Sequence, residues 1–439
     1  MAKAVEVDRL AGGRILPHEL ILDALRPSLG ANADRTPTPL RLFCRPFEDL
    51  LVEAQPKTKQ KGRITRANAI AVWHWLSDVV LFDAVKEYSV DIKRLVLQGR
   101  EAEGMARAIE FWTTAATAIR DCIAKDRGAA RVALNGDVQI EDAEEMALLL
   151  SVGSDVVAIQ QLLPRPAPQL TEEMLWALRD IHDRLAVNAA DAAPYVAVIA
   201  MNRLAHPWEA LKIPQVITNQ TQDTLISSTD MGLVGDVLFA NIELHGSAVR
   251  AVRHPVFDPD ALIDHLAHFT ELSSHIVREI EVRRGGKWGT RLLADRASVA
   301  EAMEELLEHA RKDILAMLPV QHSGSYGGGP RCADLSKGVD DEKAERGLRY
   351  GKLLAGCAMY AAMGSFAAAQ REALDEVSQY LRGYNEDLLK EMRLPEDEVQ
   401  PGAERQFELA ARLTEMVFGP EEGELLRRRG RAALAARAA

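Results

Sequence analysis

The stretch DPDALIDHLAHFTELSSHIVREIE (Asp258–Glu281) decides the fold class of this chain. Asp258 is suited to cap a helix, and Pro259 suits the first helical position, where a missing N–H costs nothing. Because each helical residue turns about 100° around the axis, the mainly apolar positions of the segment fall on one face. That face consists of Leu262, Leu266, Phe269, Ser273, Ile276 and Ile280. The segment therefore predicts an amphipathic helix that packs on a core.

The opposite side of the same helix carries a polar stripe formed by Asp264, His268, Glu271 and His275. These four side chains cluster within about 60° of one another on a helical projection. Histidine and carboxylate one turn apart point the same way and would suit a metal ion, provided that another layer of protein covers them. A solvated polar face is the alternative interpretation. The four residues are therefore weak metal candidates, the HExxH motif is absent, and no cofactor is predicted.

The rest of the chain repeats this helical pattern. A helix is predicted over Ala102–Ala124, with apolar residues at spacings of three and four. Ala, Leu, Glu and Arg are frequent, and aromatic residues make up only 5%, which favours helix over strand. The fold class is therefore predicted as mainly α and multi-helix, with at most a short β-hairpin. The best strand candidate is VRRGGKWGTRLL (Val282–Leu293), and residues 212–224 are read as a loop or short strand.

Two stretches predict the boundaries between domains. A chain of 439 residues is expected to form two or three domains. LPRPAPQ (Leu163–Gln169) has three prolines that cannot continue a helix. The Gly- and Ser-rich segment over residues 319–337 predicts a flexible loop. The predicted regions are an N-terminal helical region with an irregular leader (1–163), a middle helical domain (169–319) and a C-terminal helical region (338–439).

The Gly-rich loop is a second candidate site, because glycine lets a backbone approach a phosphate closely. It lacks the lysine of a P-loop, the strand-to-helix context of a dinucleotide fingerprint and the GxSxG pattern of a nucleophile elbow. A hinge or disordered loop is the alternative. If the loop is an active-site lid, its chemistry lies in His322, Ser323, Ser325, Tyr326 and Arg331.

Basic segments over residues 57–66 and 283–291 are a third candidate, since cations beside an aromatic ring suit a phosphate backbone and a stacked base. No recognisable nucleic-acid module contains them. The net charge of −12 disfavours a nucleic-acid partner, and solvated loops are the alternative. The candidate residues are Lys57, Lys59, Lys61, Arg63, Arg66, Arg283, Arg284 and Lys287.

Location and cysteine content give few further constraints. No apolar run reaches the roughly 20 residues that span a bilayer, and charges interrupt the N-terminal stretch where a signal peptide would be apolar. A cytoplasmic protein without a membrane span is therefore expected. The four cysteines form no CxxC pair, which argues against a zinc site made of cysteines alone.

Three functions are compatible with these patterns. The first expectation is a non-enzymatic helical protein that acts through a protein partner as scaffold, adaptor or regulator, because no catalytic motif is complete. The first alternative is an enzyme, possibly metal-dependent, with a site between the middle domain and loop 319–337. The second is a nucleic-acid-associated regulator that uses the basic segments. The small residues of Gly351–Gln370 permit close helix contacts, either in a buried bundle or in a homo-oligomer.

Overall fold

The computed structural model of the protein confirms the mainly α, multi-helix fold. Seventeen α-helices and two short strand pairs occur among the residues that the structure describes. The structure describes residues 37–53, 58–219, 222, 226–279, 286–322, 331–334, 336–393 and 403–438.

The chain divides into two compact units. Unit 1 comprises Met1–Leu238 and Glu279–Glu281, and unit 2 comprises Phe239–Arg278 and Val282–Ala439. The three regions expected from the sequence stay a prediction: the Pro-rich segment lies inside unit 1, and loop 319–337 lies inside unit 2.

Unit 1 is built from short and medium helices that are joined by tight turns. Its α-helices are α1 (Pro39–Cys44), α2 (Arg66–Trp75), α3 (Phe82–Leu97), α4 (Glu101–Lys125), α5 (Arg127–Leu134), α6 (Asp137–Ser151), α7 (Gly153–Leu162), α8 (Glu172–Asn188), α9 (Tyr195–Met201) and α10 (Lys212–Thr218). Three 3₁₀ turns (Arg45–Leu50, Ala190–Ala192 and Pro207–Leu211) and a π turn (Leu76–Val80) connect them. Strands β1 (Leu51–Val52) and β2 (Ile64–Thr65) pair in parallel.

Unit 2 contains the longest helices. Helix α11 (Gly232–Ala251) is divided between the units at Leu238, and the others are α12 (Pro259–Glu279), α13 (Lys287–Met317), α14 (Asp341–Gly356), α15 (Ala367–Glu391), α16 (Ala403–Phe418) and α17 (Pro420–Ala438). A 3₁₀ turn spans Ala358–Tyr360, and strands β3 (Val320–His322) and β4 (Arg331–Ala333) pair antiparallel.

The helix starts follow from local capping chemistry. The backbone N–H groups of Asp260 and Ala261 donate to the Asp258 carboxylate at 2.9 and 3.4 Å, and α12 begins at Pro259. The Thr171 hydroxyl accepts from the Met174 N–H at 3.3 Å at the start of α8. Such caps satisfy backbone donors that have no partner within the helix, and the predicted start of α12 is confirmed.

The core of unit 1 includes a group of packed aromatic rings. Tyr88 stacks on Phe111 with ring centroids 4.1 Å apart. The buried Trp112 indole N–H donates to the Leu42 carbonyl at 3.0 Å, which avoids the cost of an unpaired buried donor. These contacts fix α1 and the 3₁₀ turn after it against helices α3 and α4.

The strand predictions are wrong where the structure describes the segments. From Lys287 onward the candidate strand at residues 282–293 is helix α13, and Val282–Gly285 lies outside the described residues. Trp288 and Leu292, four residues apart, are both buried, so the helical spacing of apolar side chains outweighs the glycines. Residues 212–218 are helix α10, which ends at Asn219 in the left-handed conformation.

Close packing is a feature of the helices of unit 2. At Gly347 on α14, a side chain would overlap Met317 at the end of α13. The small residues of this part of the chain therefore bring helices together within unit 2. Whether it also forms an oligomer contact stays a prediction.

The helices were also compared with the requirements of a bilayer. In the described part of the chain, no single helix is long and apolar enough to cross a membrane. The bent pair α6 and α7 meets the length and composition requirement only when its two members, at 75° to each other, are taken together.

Candidate functional site

The site is built around a buried ion pair in unit 1. Asp49, in the 3₁₀ turn after α1, has a side chain that is only 1% exposed. The Arg203 guanidinium, just after α9, donates from Nη1 to both Asp49 oxygens at 2.9 and 3.1 Å. Its Nε and Nη2 donate to the carbonyls of Leu163 and Gln160. A buried charge is tolerated only when it is paired and hydrogen-bonded in this way, so Arg203 joins three separate segments of unit 1.

A cleft of about 610 Å³ opens beside this ion pair. We call it the arginine cleft, because five guanidinium groups from four parts of the chain line it together with the single carboxylate Glu48. The arginines are Arg41, Arg45, Arg66, Arg165 and Arg203.

Positive charge exceeds negative charge around the cleft. Arg45 lies 3.0 Å from Glu48, Arg66 lies 2.7 Å from Glu53, and Arg165 lies 3.4 Å from Asp49. Five guanidinium groups thus face three carboxylates, a difference of two positive charges. The Nε of Arg45 is buried without a hydrogen-bond partner. Since each guanidinium has five N–H donors, the cleft offers more donors than its carboxylates accept.

Burial changes the chemistry of two further groups at the cleft. It raises the pKa of Glu48, while the positive charge of Arg45 opposes that shift. Burial also raises the pKa of the Cys44 thiol to about 12, a shift that the charge of Arg66 partly offsets. Because the thiolate is the nucleophilic form of cysteine, Cys44 is an inert part of the wall at neutral pH.

The remaining wall of the cleft is apolar and is formed by Leu40, Leu51, Ala69 and Ile70. Sites for small ligands commonly combine an apolar wall with a few converging polar groups. The arrangement suits a ligand that has an anionic end and a less polar body.

A second charged cluster of unit 1 contains a residue of the predicted basic segment. Lys59 Nζ donates to the Arg63 carbonyl at 2.6 Å, to Asp142 at 2.5 Å and to Glu145. Asp142 also accepts from the Thr65 N–H and from Asn68, and Glu145 accepts from the Gly62 N–H and, at 2.5 Å, from the Tyr195 hydroxyl. We call this group the Lys59 cluster.

The Lys59 cluster is saturated. All three ammonium protons have acceptors, and each of the four carboxylate oxygens accepts at least one hydrogen bond. Burial, followed by the charge of Glu145, raises the pKa of Tyr195. The cluster therefore attaches the segment from Lys59 to Thr65 to helix α6 and leaves no donor of Lys59 for a nucleic acid.

The other residues of the basic segments have different positions. Lys61 is exposed, Arg63 is half-buried, and Arg66 lines the arginine cleft. Lys287 is exposed at the start of α13. Lys57, Arg283 and Arg284 lie outside the described residues.

The polar stripe of α12 lies mainly on the surface. Asp264, His268 and Glu271 are exposed, and His275 is half-buried. The described residues hold no group of three or more His, Cys, Asp or Glu side chains arranged to bind a metal ion. The metal assignment of the stripe stays a prediction.

The Gly-rich loop is described only at its ends. His322 and Arg331 are partners in the β3–β4 pair. Ser323, Ser325 and Tyr326 lie outside the described residues, so the lid hypothesis stays a prediction.

The arginine cleft was not identified from the sequence. Its arginines lie between positions 41 and 203, and no short motif joins them. The only local signal is the spacing of Arg41 and Arg45, which lie one helical turn apart in RLFCR. The comparisons with known proteins add nothing to this geometry, since no family model, curated protein or solved structure matches the chain.

Proposed function

We propose that unit 1 binds a small anionic ligand, bearing phosphate or carboxylate groups, in the arginine cleft. The observation that carries this proposal is the convergence of five guanidinium groups on one cleft that has three neighbouring carboxylates. Arginine is the preferred side chain for such groups, because its planar fork of N–H donors matches the oxygens of phosphate and carboxylate.

The size of the cleft favours a small ligand over a nucleic acid. Its volume of about 610 Å³ lies in the usual range of roughly 300–1,000 Å³ for small-molecule sites. The net charge of −12 opposes long-range attraction of a polyanion, and the Lys59 cluster removes one cation of the 57–66 segment from the surface. The nucleic-acid alternative is therefore the weaker of the two.

Calorimetric titration of the full-length protein with sodium pyrophosphate and, separately, with citrate tests the proposal and distinguishes a phosphate from a carboxylate ligand. Arg165→Ala and Arg66→Ala should each weaken binding of the preferred anion roughly tenfold or more, since a hydrogen bond to a charged group contributes about 1.5–3 kcal/mol.

Arg94→Ala is the matched control, because the Arg94 side chain is 57% exposed, as is that of Arg165, and lies outside the cleft. It should leave affinity unchanged. The proposal fails if neither anion binds, or if Arg94→Ala weakens binding as much as the cleft variants do.

The protein-partner hypothesis is a second candidate, favoured by two large apolar side chains on one short stretch. Val79 is 71% exposed and Phe82 is 58% exposed, at the π turn and the start of α3. Large exposed apolar side chains that lie together favour an interaction surface. A pull-down should return a stoichiometric partner that Phe82→Ser releases, and a purified chain that stays partner-free would count against it. The enzyme alternative near loop 319–337 stays a prediction.

A further inference from the structure

Two imidazoles meet between neighbouring helices of unit 2. His245 on α11 and His265 on α12 have their Nδ1 atoms 3.0 Å apart. Their ring planes are inclined by 52°, and both side chains are half-buried. At this separation one Nδ1–H donates and the other Nδ1 accepts. Two nitrogens of the commonest metal-ligating side chain are thus held at one point by two helices.

A third imidazole from the polar stripe lies beside this pair. The His268 ring stacks on His245 with centroids 4.9 Å apart and planes 8° apart. Its Nδ1–H donates to the Asp264 carbonyl at 2.7 Å, so in the neutral ring Nε2 carries the lone pair. Donation from one ring nitrogen to a backbone carbonyl is the arrangement that orients a metal-ligating histidine.

The Nδ1 separation restricts the geometry of an ion bound by both rings. With metal–nitrogen bonds of about 2.05 Å, as for zinc and histidine, a separation of 3.0 Å corresponds to an angle at the metal of about 94°. A tetrahedral angle of about 109° would need the two nitrogens roughly 3.3 Å apart. An angle near 90° is that of neighbouring positions in square-planar or octahedral coordination, which Cu²⁺ and Ni²⁺ prefer.

We propose that His245 and His265 bind a divalent late-transition-metal ion, Cu²⁺ or Ni²⁺, through their Nδ1 atoms. The ring that now donates from Nδ1 carries its proton on Nε2 instead, so both imidazoles stay neutral and no proton leaves the pair. Since no three candidate ligands converge within the described residues, water completes the coordination. His268 is the nearest further imidazole.

Another histidine pair in unit 2 provides the control. His254 and His309 also stack, with centroids 4.3 Å apart and planes 9° apart. His254 Nδ1 lies 2.8 Å from the Tyr350 hydroxyl. Face-to-face rings do not direct two lone pairs to one point, so this pair has the same composition without the chelating geometry.

The test is calorimetric titration of the untagged full-length protein with NiCl₂, supported by electron paramagnetic resonance of one added equivalent of Cu²⁺. The wild type should bind one Ni²⁺, and its Cu²⁺ spectrum should show coupling to ring nitrogens. His265→Ala and His245→Ala should each weaken binding by at least about tenfold, because even outer-shell changes cost about 10–100-fold in metal affinity. His309→Ala should bind as the wild type does.

A second measurement separates ligand loss from misfolding. One millimolar NiCl₂ should raise the melting temperature of the wild type and of His309→Ala, because an ion that binds only the folded state stabilises it. It should leave the melting temperature of His265→Ala unchanged, and the circular dichroism of that variant should match the wild type. Absence of stoichiometric binding below about 100 µM Ni²⁺, a free energy near −5.5 kcal/mol, overturns the proposal. So does binding that survives both single variants, or that His309→Ala weakens equally.

Discussion

The Lys59 cluster and the arginine cleft lie in the same unit and contain the same kinds of charged groups, but their hydrogen bonds are distributed differently. In the Lys59 cluster, every ammonium proton and every carboxylate oxygen has a partner. In the arginine cleft, guanidinium groups outnumber carboxylates, and the buried Nε of Arg45 has no hydrogen-bond partner. The comparison shows that saturation, and not the presence of charge, separates a structural cluster from a candidate binding site.

The largest effect is expected from Lys59→Met. This change leaves Asp142 and Glu145 buried without their common cation, and breaking one side of a buried ion pair costs about 3–5 kcal/mol. The free energy of unfolding, measured by urea titration, should fall by that amount. Lys61→Met, at an exposed neighbouring position, should change it by less than about 0.5 kcal/mol. Equal small effects of both variants would mean that the cluster does not stabilise unit 1.

The next comparison is made within the cleft, between Arg203 and Arg165. Arg203→Ala removes the donors that bind Asp49 and two backbone carbonyls, so the free energy of unfolding should fall by roughly 3 kcal/mol. Arg165→Ala leaves Asp49 paired with Arg203 and should change stability by less than about 0.5 kcal/mol, while it weakens anion binding. Urea titration and calorimetry on both variants test this separation. A large loss of stability in Arg165→Ala would assign it a structural role instead.

The sequence predicted the helices better than either charged cluster. Helix α4 (Glu101–Lys125) lies within one residue of its predicted bounds at each end, because apolar spacing is a local property of the chain. Lys59 was grouped with its basic neighbours, and its true partners lie 83 and 86 residues away. The five arginines of the cleft are likewise scattered along the chain, so their convergence depends on tertiary packing that no local pattern encodes.

A smaller effect is expected at the edge of the Lys59 cluster, from Tyr195→Phe. The Tyr195 hydroxyl donates at 2.5 Å to Glu145, and a hydrogen bond to a charged group contributes about 1.5–3 kcal/mol. The control is Tyr88→Phe, in which a buried hydroxyl donates to the Pro39 carbonyl at 3.3 Å, a neutral bond of about 1 kcal/mol. In urea titrations Tyr195→Phe should therefore be the more destabilised variant. A Tyr88 variant that is equally or more destabilised would show that the carboxylate is not held by Tyr195.

The smallest effect concerns the pH dependence of the arginine cleft. Because burial raises the pKa of Glu48 above its ordinary value of 4.5, this carboxyl takes up a proton at a higher pH than a free glutamic acid does. As pH falls through that pKa, five guanidinium groups face two carboxylates instead of three. By thermodynamic linkage, anion binding and protonation of Glu48 favour each other. Anion affinity should therefore increase as pH falls.

Sulfate is the appropriate probe for this effect, because it stays dianionic across the range and adds no titration of its own. Calorimetry between pH 7.5 and pH 5 should show a rise in sulfate affinity of a few-fold, on the order of 1 kcal/mol or less, as for one partly exposed charge. Glu48→Gln should bind sulfate at pH 7.5 as tightly as the wild type does at pH 5 and should show no rise on acidification. A pH dependence that persists unchanged in Glu48→Gln would place the titrating group elsewhere, and the cleft would then differ from the saturated Lys59 cluster in charge alone.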